Sequence, residues 1–376
     1  MEFGVLLMNY PGCWEDAAFA EQHGFGSAGF VDSPLISGDP FVSMGLTAQA
    51  TSTMRLGTYL NIASMRSAPA AASAISTINQ LAPGRVFFGT GAGYTGRLTF
   101  GLKQIGVSRL VEYVNEMRQL LAGEEVHHRH GPHDTVIRMG NSAQIANNRE
   151  NPIPIFMAAD GPLTLAAAGE NADGWITTLW FGGAMRGTMM NAPEVFSDSL
   201  AALRAAGAAA GRDLSGVPTS WTTSLCILEP GESAVSPRAL RASGPISMFA
   251  FHSYACNPEI RDFLSPPMQD RVDIYEKEVL SKLDVPRDRL YQAVHDGHLC
   301  YLLDGEASVL TEEIVRMMSL TGTASEIAAQ LRLMEAAGLK DLMISIPPSA
   351  FRETVLDVEK HLMPLLTPTE SAVSRD

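Results

Sequence analysis

Short apolar runs alternate with longer amphipathic stretches along the whole chain. The short runs lack strict alternation of polar and apolar positions, which is typical of strands buried on both faces. They lie at residues 3–8, 27–31, 55–62, 85–88, 153–157, 175–177, 218–228 and 342–346. The stretches with helical spacing lie at residues 14–20, 41–50, 69–81, 110–121, 162–172, 195–210, 324–337 and 354–365. Eight strand–helix units predict a closed parallel α/β barrel, a (β/α)₈ TIM barrel, with an open doubly wound sheet as the alternative.

One segment, at about residues 230–320, departs from this rhythm. It contains an aromatic run at residues 249–254, a helix-like stretch at 271–283 and two histidines at 295 and 298. A structureless loop of this length is uncommon in a compact domain. We therefore expect a helical insertion before the last strand, over the mouth of a single barrel domain spanning residues 1–376. It serves either as a substrate lid or as extra packing and a subunit contact.

Composition narrows the class of protein. The 376 residues carry a net charge of −14 without a dense run of Lys and Arg, which argues against nucleic acid as a partner. The four cysteines are scattered without a paired spacing, as in a reducing compartment. No run of about 18 apolar residues and no leader-like segment occur. We therefore expect no membrane association and a cytoplasmic location.

Two turns that follow predicted strands are candidate ligand sites. Residues 89–93 read GTGAG after the fourth strand, and glycine there lets a flat ligand or a phosphate lie against the backbone. The spacing does not match the dinucleotide-binding fingerprint, so we reject a Rossmann interpretation. Residues 158–162 read AADGP after the fifth strand and open a helix, whose free N–H groups favour an anion. An ordinary strand-to-helix turn is the alternative for this second segment.

The histidines fall into two groups. Residues 127–133 hold four of them in a connection with Gly and Pro, without the spacing of a metal site, so we predict a solvated loop and no metal. His252 and His298 lie among aromatic residues of the insertion. Each is either a core histidine or a proton donor near the substrate. No hydrolase or phosphotransferase motif occurs.

Two segments together resemble the bacterial-luciferase-like superfamily. They are RVFFGTGAGY at residues 85–94 and PIFMAADGP at residues 154–162, the latter followed by AGENADGW at residues 168–175. That superfamily comprises flavin-dependent monooxygenases and reductases that use the 8-hydroxy-5-deazaflavin coenzyme. The resemblance implies a barrel that binds reduced FMN or the deazaflavin at its C-terminal mouth, as a homodimer.

The resemblance also implies which residues hold the cofactor. The backbone amides of Gly161, Pro162 and Leu163 would bind its phosphate, and a non-prolyl cis peptide near Tyr59–Leu60 would support its ring. The cofactor-binding residues implied in this way are Thr58, Tyr59, Asn61, Thr90, Gly91, Gly93, Tyr94, Ala159, Asp160, Gly161, Pro162 and Leu163. For catalysis we consider His298, His252 and Asp32.

Two departures from relatives bear on the chemistry. Ser33 follows Asp32 where many relatives have histidine, and Tyr94 stands where some deazaflavin sugar dehydrogenases have glutamate. We therefore predict first a monooxygenase that uses reduced FMN from a separate flavin reductase, and O₂, on a largely hydrophobic small molecule. The alternatives are deazaflavin-dependent hydride transfer and a non-catalytic flavin-binding barrel. The residues expected at an apolar mouth are Met8, Trp180, Phe181, Met248, Phe249 and Phe251.

Overall fold

The computed structural model describes residues 1–140, 149–179 and 192–366. In those ranges the strands are β1 (Glu2–Leu7), β2 (Ser27–Phe30), β3 (Arg55–Ile62), β4 (Val86–Gly91), β5 (Val126–His130), β6 (His133–Ile137), β7 (Ile155–Ala158), β8 (Gly174–Thr177), β9 (Thr219–Thr223), β10 (Leu225–Ile227), β11 (Leu320–Gly322) and β12 (Asp341–Ser345). Eight of them close into a parallel barrel in the order β1-β12-β9-β8-β7-β4-β3-β2. The predicted (β/α)₈ barrel is therefore confirmed.

Helices connect the barrel strands and also fill the segment before the last strand. The α-helices of the described ranges are α1 (Cys13–Gln22), α2 (Pro40–Ala50), α3 (Ala68–Leu81), α4 (Thr95–Leu98), α5 (Val107–Ala122), α6 (Pro162–Asn171), α7 (Ala192–Ala209), α8 (Pro237–Ser247), α9 (Phe249–Cys256), α10 (Pro266–Gln269), α11 (Val272–Glu278), α12 (Glu306–Val309), α13 (Glu312–Met318), α14 (Ala324–Ala336), α15 (Phe351–Asp357) and α16 (Met363–Leu366). Side-chain caps fix several starts: Asp39 accepts from the first amides of α2, and Thr323 forms a capping box with Glu326 at α14.

The seventh predicted strand, residues 218–228, is divided in the structure. Its first part, β9, joins the barrel, and its second part, β10, leaves the barrel and pairs with β11 as a two-stranded parallel sheet. Ser224 lies at the division and donates from Oγ to the carbonyl of Ser345, 2.7 Å away. A single apolar run could not reveal this change of partner, because β10 and β11 lie on opposite sides of the insertion in sequence.

The histidine-rich segment is not the loop that we predicted. Residues 126–137 form an antiparallel hairpin of β5 and β6, in which His130 pairs with His133. Its side chains are largely exposed, as expected of a solvated connection. Val126, His128 and His130 lie on one face of β5, and this alternation is typical of a strand. The histidine-rich composition led us to predict a loop instead.

The core has three parts. One surrounds the barrel between strands and outer helices, and a second lies within the insertion, where α8, α9, α11 and α13 pack on one another. The third fills the barrel interior, and Leu299 and Cys300 of the insertion pack against it together with Tyr10 and Leu60. The insertion therefore contacts the barrel interior, whereas its role as a lid stays a prediction. Among the described residues, no helix is both long enough and apolar enough to cross a bilayer.

Candidate active site at the barrel mouth

The carboxyl ends of the barrel strands form the mouth, which is where TIM-barrel enzymes carry their sites. A cavity of about 550 Å³ opens at the opposite end, beside Tyr59, Ser220 and Asp341. Ser220 and Asp341 lie at the starts of their strands, and Tyr59 reaches back toward Ser220. Arg55 beside the cavity pairs with Glu2. We therefore look for the site at the mouth.

A bulge in β3 shapes one wall of the mouth. The Tyr59–Leu60 peptide is cis, as the resemblance implied, and the pairing of β3 with β4 shifts register between Thr58 and Asn61. Tyr59 and Leu60 consequently both pack in the barrel interior. The Tyr59 hydroxyl lies 3.0 Å from Ser220 Oγ, and burial raises the pKa of Tyr59. Leu60 is only partly buried and lies beside Gly91, so Leu60 is the bulge residue that reaches the mouth.

Thr58, Thr90 and Asn61 are buried and hold the ends of β3 and β4 together. Thr58 donates to the carbonyl of Gly89 at 2.7 Å, and Thr90 donates to the carbonyl of Asn61 at 3.0 Å. None of the three side chains is measurably exposed. These three predicted cofactor residues therefore lie behind the mouth, where they support the ends of β3 and β4.

Asp32, at the end of β2, has both carboxylate oxygens occupied. Arg66 donates to them from Nε and Nη2 at 3.0 and 3.2 Å, and Asn61 donates from Nδ2 at 3.0 Å. Tyr113 donates in turn to Asn61 Oδ1 at 2.8 Å. Arg66 also reaches Asp39 at 2.7 Å. Asp32 is 1% exposed, so we assign it a structural role in fixing the ends of β2 and β3.

The glycine turn after β4 leaves space that a side chain would fill. A Cβ on Gly91 would lie 3.1 Å from Leu60 Cδ1 and 3.3 Å from Ala158 Cβ. Gly93 has a φ of +78°, and a Cβ there would lie 2.4 Å from Ile62 Cγ2. Glycine is required at Gly93 on both grounds. The turn therefore presents backbone to the mouth, as predicted for a surface against which a flat ligand lies.

The start of α6 provides a candidate phosphate site. Gly161 is its N-cap, and a Cβ on Gly161 would meet only Thr164 Oγ1, at 3.9 Å, so the space in front of this turn is open. The Gly161 amide donates to Thr164 Oγ1 at 3.1 Å, and Pro162 has no N–H. The prediction that Pro162 supplies an amide is therefore wrong. The amides of Leu163 and Thr164 in the first turn remain outside the helix's own hydrogen bonds.

Ala159 and Asp160 brace this turn from behind. The Ala159 carbonyl accepts from Trp175 Nε1 at 2.7 Å. Asp160 accepts from the Thr177 hydroxyl, and from the hydroxyl of Thr178 at 2.8 Å and the amide of Leu179 at 3.3 Å. Burial raises the pKa of Asp160. Both residues hold the end of β8 against the end of β7, and the Ala159 amide donates to the carbonyl of Ile176 at 3.0 Å.

The insertion supplies an aromatic wall opposite the glycine turn. The Phe249 ring lies 5.5 Å from the Tyr94 ring and 6.2 Å from the His298 ring, centroid to centroid. Leu299, which has a φ of +57°, and Cys300 follow directly and pack against the barrel interior. His298 thus lies beside the mouth, within the turn that covers the barrel.

Three histidines and a glutamate form a buried cluster behind this wall. His252 Nε2 lies 2.6 Å from Glu306 Oε1, and Glu306 Oε2 accepts from the amide of Leu303 at 2.8 Å. The His295 ring lies 5.6 Å from both the His252 and the His298 rings. Burial, together with the nearby His252, lowers the pKa of His295 to about 3, and burial with the other two histidines lowers the pKa of His298 well below its ordinary value.

The predicted apolar mouth is only partly reproduced. Met8 lies in the barrel interior and Phe249 on the aromatic wall, whereas Met248 and Phe251 are fully buried in the insertion core. Trp180 and Phe181 lie outside the described residues. Sequence reasoning missed Leu60, Arg66 and Glu306. Arg66 and Glu306 gave no signal because each meets its partner only through the tertiary fold.

A group of His, Cys, Asp or Glu side chains that could hold a metal ion does not occur in the described part of the chain. Even the cluster of three histidines with Glu306 does not form one.

Comparison with known proteins bears out the resemblance. A family model described as luciferase-like monooxygenase matches residues 12–341. The F420-dependent hydroxymycolic acid dehydrogenase of Mycobacterium tuberculosis is 32% identical over 181 residues, 46% of this chain and 45% of that protein. The match spans about half the length of such curated relatives.

Two archaeal proteins match over nearly the full length. The 5,10-methylenetetrahydromethanopterin reductase of Archaeoglobus fulgidus is 24% identical over 97% of this chain and 100% of its own. The solved structure of the coenzyme F420 dependent tetrahydromethanopterin reductase of Methanopyrus kandleri superposes with a TM-score of 0.71 at 18% identity, over 96% of this chain and 98% of that one. All three relatives are oxidoreductases by name, so the predicted oxidoreductase class is confirmed at the level of the family.

Proposed function

Because the chain belongs to the luciferase-like monooxygenase family, we propose that it is an oxidoreductase that transfers hydride with a deazaflavin coenzyme bound at the barrel mouth. This reverses the order of the two chemistries expected from the sequence, where FMN-dependent oxygenation came first. The relatives that support the change carry F420, the deazaflavin coenzyme, in their names. The observation that carries the proposal is the cradle formed by the β3 bulge, the glycine turn and the open start of α6.

The described residues fit such a coenzyme. Leu60 and the backbone at Gly91 and Gly93 leave a flat surface for its ring system. The free amides of Leu163 and Thr164 lie at the positive end of the α6 dipole, which suits its phosphate. Because the chain has a net charge of −14 and no dense run of Lys and Arg, we expect backbone amides and a few local cations to hold that phosphate.

The bound coenzyme would supply hydride acceptance in its oxidised form and hydride donation in its reduced form. The protein's own part is to orient the substrate and to exclude water. Arg66 and Asn61 keep Asp32, and with it the end of β2, in place. Leu299 and Cys300 cover the barrel interior from the insertion side. The substrate is a small molecule that reaches the mouth between these elements.

The purified chain should bind deazaflavin in preference to FMN. We expect equilibrium fluorescence titration to give at least about tenfold tighter binding of the deazaflavin, a difference of about 1.4 kcal/mol. Gly161→Asp should weaken that binding by a further factor of about ten or more, because its carboxylate repels the phosphate at the start of α6. Gly161→Asn is the matched control, since it has nearly the same size and no charge. Both fit the open space at this N-cap.

Tighter binding of FMN, or oxygen-dependent product formation with reduced FMN, would restore the monooxygenase as the leading function. Binding of either cofactor without hydride transfer to any substrate would favour the non-catalytic barrel. If Gly161→Asp and Gly161→Asn bound the deazaflavin equally tightly, the phosphate would not bind at the start of α6. The homodimer, the separate flavin reductase and the cytoplasmic location stay predictions.

A further inference from the structure

A proton must move together with the hydride if the substrate is an alcohol or its carbonyl. Oxidation of a carbinol carbon by hydride loss leaves a carbonyl only when the oxygen also loses its proton, so an acceptor at the mouth speeds the reaction. This chain has Ser33 after Asp32, and it has Tyr94 after the glycine turn. Neither residue is a base at neutral pH. The acceptor must therefore lie elsewhere.

The other ionisable side chains described around the mouth are hydrogen-bonded or have a raised pKa. Both carboxylate oxygens of Asp32 accept hydrogen bonds, from the Arg66 guanidinium and from the side-chain amide of Asn61. The Tyr94 hydroxyl bonds to Ser253, and burial raises the pKa of Tyr94. The Tyr10 hydroxyl donates to a carboxylate at 2.7 Å. Burial raises the pKa of the Cys300 thiol to about 11. These groups are poor proton acceptors at neutral pH.

His298 differs from them because a ring nitrogen is free. Its Nδ1 is buried and has no hydrogen-bond partner among the described residues, although such nitrogens are normally satisfied. The ring is 7% exposed and lies beside Phe249, whose ring lies against Tyr94 at the glycine turn. A buried nitrogen without a partner at this place points to a ligand atom that completes its hydrogen bond.

A carboxylate–imidazole dyad stands behind His298. Glu306 is fully buried and accepts from the Leu303 amide with Oε2, and we assign the proton of its 2.6 Å contact to His252, so that Nε2 donates to Oε1. The other nitrogen of His252, Nδ1, is then a free acceptor, and it too is buried without a partner in the described ranges. The ring centroids of His252 and His298 lie 6.5 Å apart, with His295 5.6 Å from each. The His295 ring meets each of the other two edge to face, so the three imidazoles form one contiguous group.

We propose that His298 exchanges the proton of a carbinol or carbonyl substrate at the mouth, and that the His252–Glu306 dyad receives that proton. The proposal rests on the proposed function. In the oxidising direction the carbinol carbon loses a hydride to the oxidised deazaflavin, and the carbinol oxygen loses its proton to His298 Nδ1. The substrate becomes a carbonyl, and reduction runs in reverse. The substrate class proposed with this role is alcohols and their carbonyl partners.

The dyad is the place where the proton comes to rest, because of the charges around each ring. Burial, and after it the neighbouring His295 and His252, lower the pKa of His298. Of the three histidines in this cluster, His252 is the one with a carboxylate partner, since Glu306 Oε1 lies 2.6 Å from its Nε2. Tyr275 of α11 also faces Glu306, and its hydroxyl is neutral because burial keeps the pKa of Tyr275 high.

The first test follows hydride transfer between the deazaflavin and simple probes, namely 2-propanol, cyclohexanol and glucose 6-phosphate with the oxidised coenzyme, and acetone with the reduced one. His298→Gln should slow transfer about 100-fold without changing coenzyme affinity, and Glu306→Gln should slow it and alter its pH profile. Imidazole added to His298→Ala should restore part of the rate, which a purely structural role would not allow. His23→Gln is the control: it removes a second histidine–glutamate pair, with Glu359, which lies on an exposed surface and before the start of β2, whereas the mouth lies beyond the strand ends.

The second test needs neither coenzyme nor substrate. Nitrogen-15 NMR of the imidazole rings in the free protein should show His252 protonated on Nε2 and bare on Nδ1, and Glu306→Gln should change that ring's signals. A proton on Nδ1 of His252 overturns the proposal. So does coenzyme binding without hydride transfer to or from any probe, or an unchanged rate in His298→Gln. Failure of the coenzyme to bind defeats the proposed function instead, and NMR then still decides whether the dyad exists.

Discussion

Asp32 illustrates how one buried charge can organise the end of two strands. Its carboxylate is 1% exposed, and the two bonds from Arg66 with the one from Asn61 replace the water that it loses. Asn61 is in turn fixed by Tyr113 from α5. A series of hydrogen bonds thus connects α5, β3 and β2, and it depends on the Arg66 guanidinium. The sequence alone could not pair Arg66 with Asp32, because the two residues are 34 positions apart.

Replacing Arg66 should destabilise the fold far more than replacing an exposed arginine. Arg66→Met removes the guanidinium, whose Cζ lies 5.1 Å from the centroid of the Phe41 ring, and leaves Asp32 buried with one donor, at an expected loss of about 3 kcal/mol. Arg109→Met breaks an exposed pair with Glu112 and should change stability by less than about 1 kcal/mol. Urea unfolding of both variants measures the difference, and equal losses would show that the Asp32 pair contributes no more than a surface one.

At the scale of elements, α6 is positioned by close contact with α7. A Cβ on Gly169 would lie 2.3 Å from the carbonyl oxygen of Leu203, and one on Gly207 would lie 3.1 Å from the carbonyl oxygen of Gly169. The two helix backbones therefore touch, and only glycine permits this approach. Because α6 begins at the candidate phosphate site, this contact also fixes where its free amides point.

Gly169→Ala should separate the two helices and destabilise the protein. Overpacking against backbone atoms is expected to remove about 2 kcal/mol, more than the gain of about 1 kcal/mol from replacing a helical glycine. Gly45→Ala in α2 is the matched control, because a Cβ there lies 3.6 Å from its nearest neighbour, in ordinary contact. We expect that control to be neutral or stabilising in urea unfolding. A Gly169→Ala protein as stable as the control would mean that the helices separate without loss.

For the whole molecule, the barrel was predictable because each of its strands is buried on both faces and leaves an apolar run of its own. The glycine turn and the start of α6 were predictable as well, since their function depends on backbone that glycine exposes. The direction of side chains was not. The register shift in β3 turns Tyr59 toward Ser220 and leaves Leu60 at the mouth, against the simple alternation of a strand. The pairing of His252 with Glu306 joins residues 54 positions apart through the insertion's own core.

The buried histidines make the stability of the whole molecule depend on acid. The folded state holds His295 neutral, with a pKa of about 3 against an ordinary value of 6.5, because burial and the nearby His252 disfavour its charge. The pKa of His298 is lowered as well. Below about pH 6.5 the unfolded chain therefore binds protons that the folded chain does not. Each such histidine should remove about 1.4 kcal/mol of stability per pH unit as the pH falls from about 6 toward the folded pKa.

His295→Leu should flatten this acid dependence by about one proton, because leucine fills the site without titrating. The slope of the unfolding free energy against pH, from urea melts between about pH 7.5 and about pH 4.5, measures the effect. His127→Leu removes an exposed histidine of the β5–β6 hairpin and should leave the slope unchanged. If both variants kept the slope of the unmodified protein, His295 would be able to take up its proton without unfolding. The insertion core would then tolerate a charged histidine, and a proton on His298 would not need to move to the His252–Glu306 dyad.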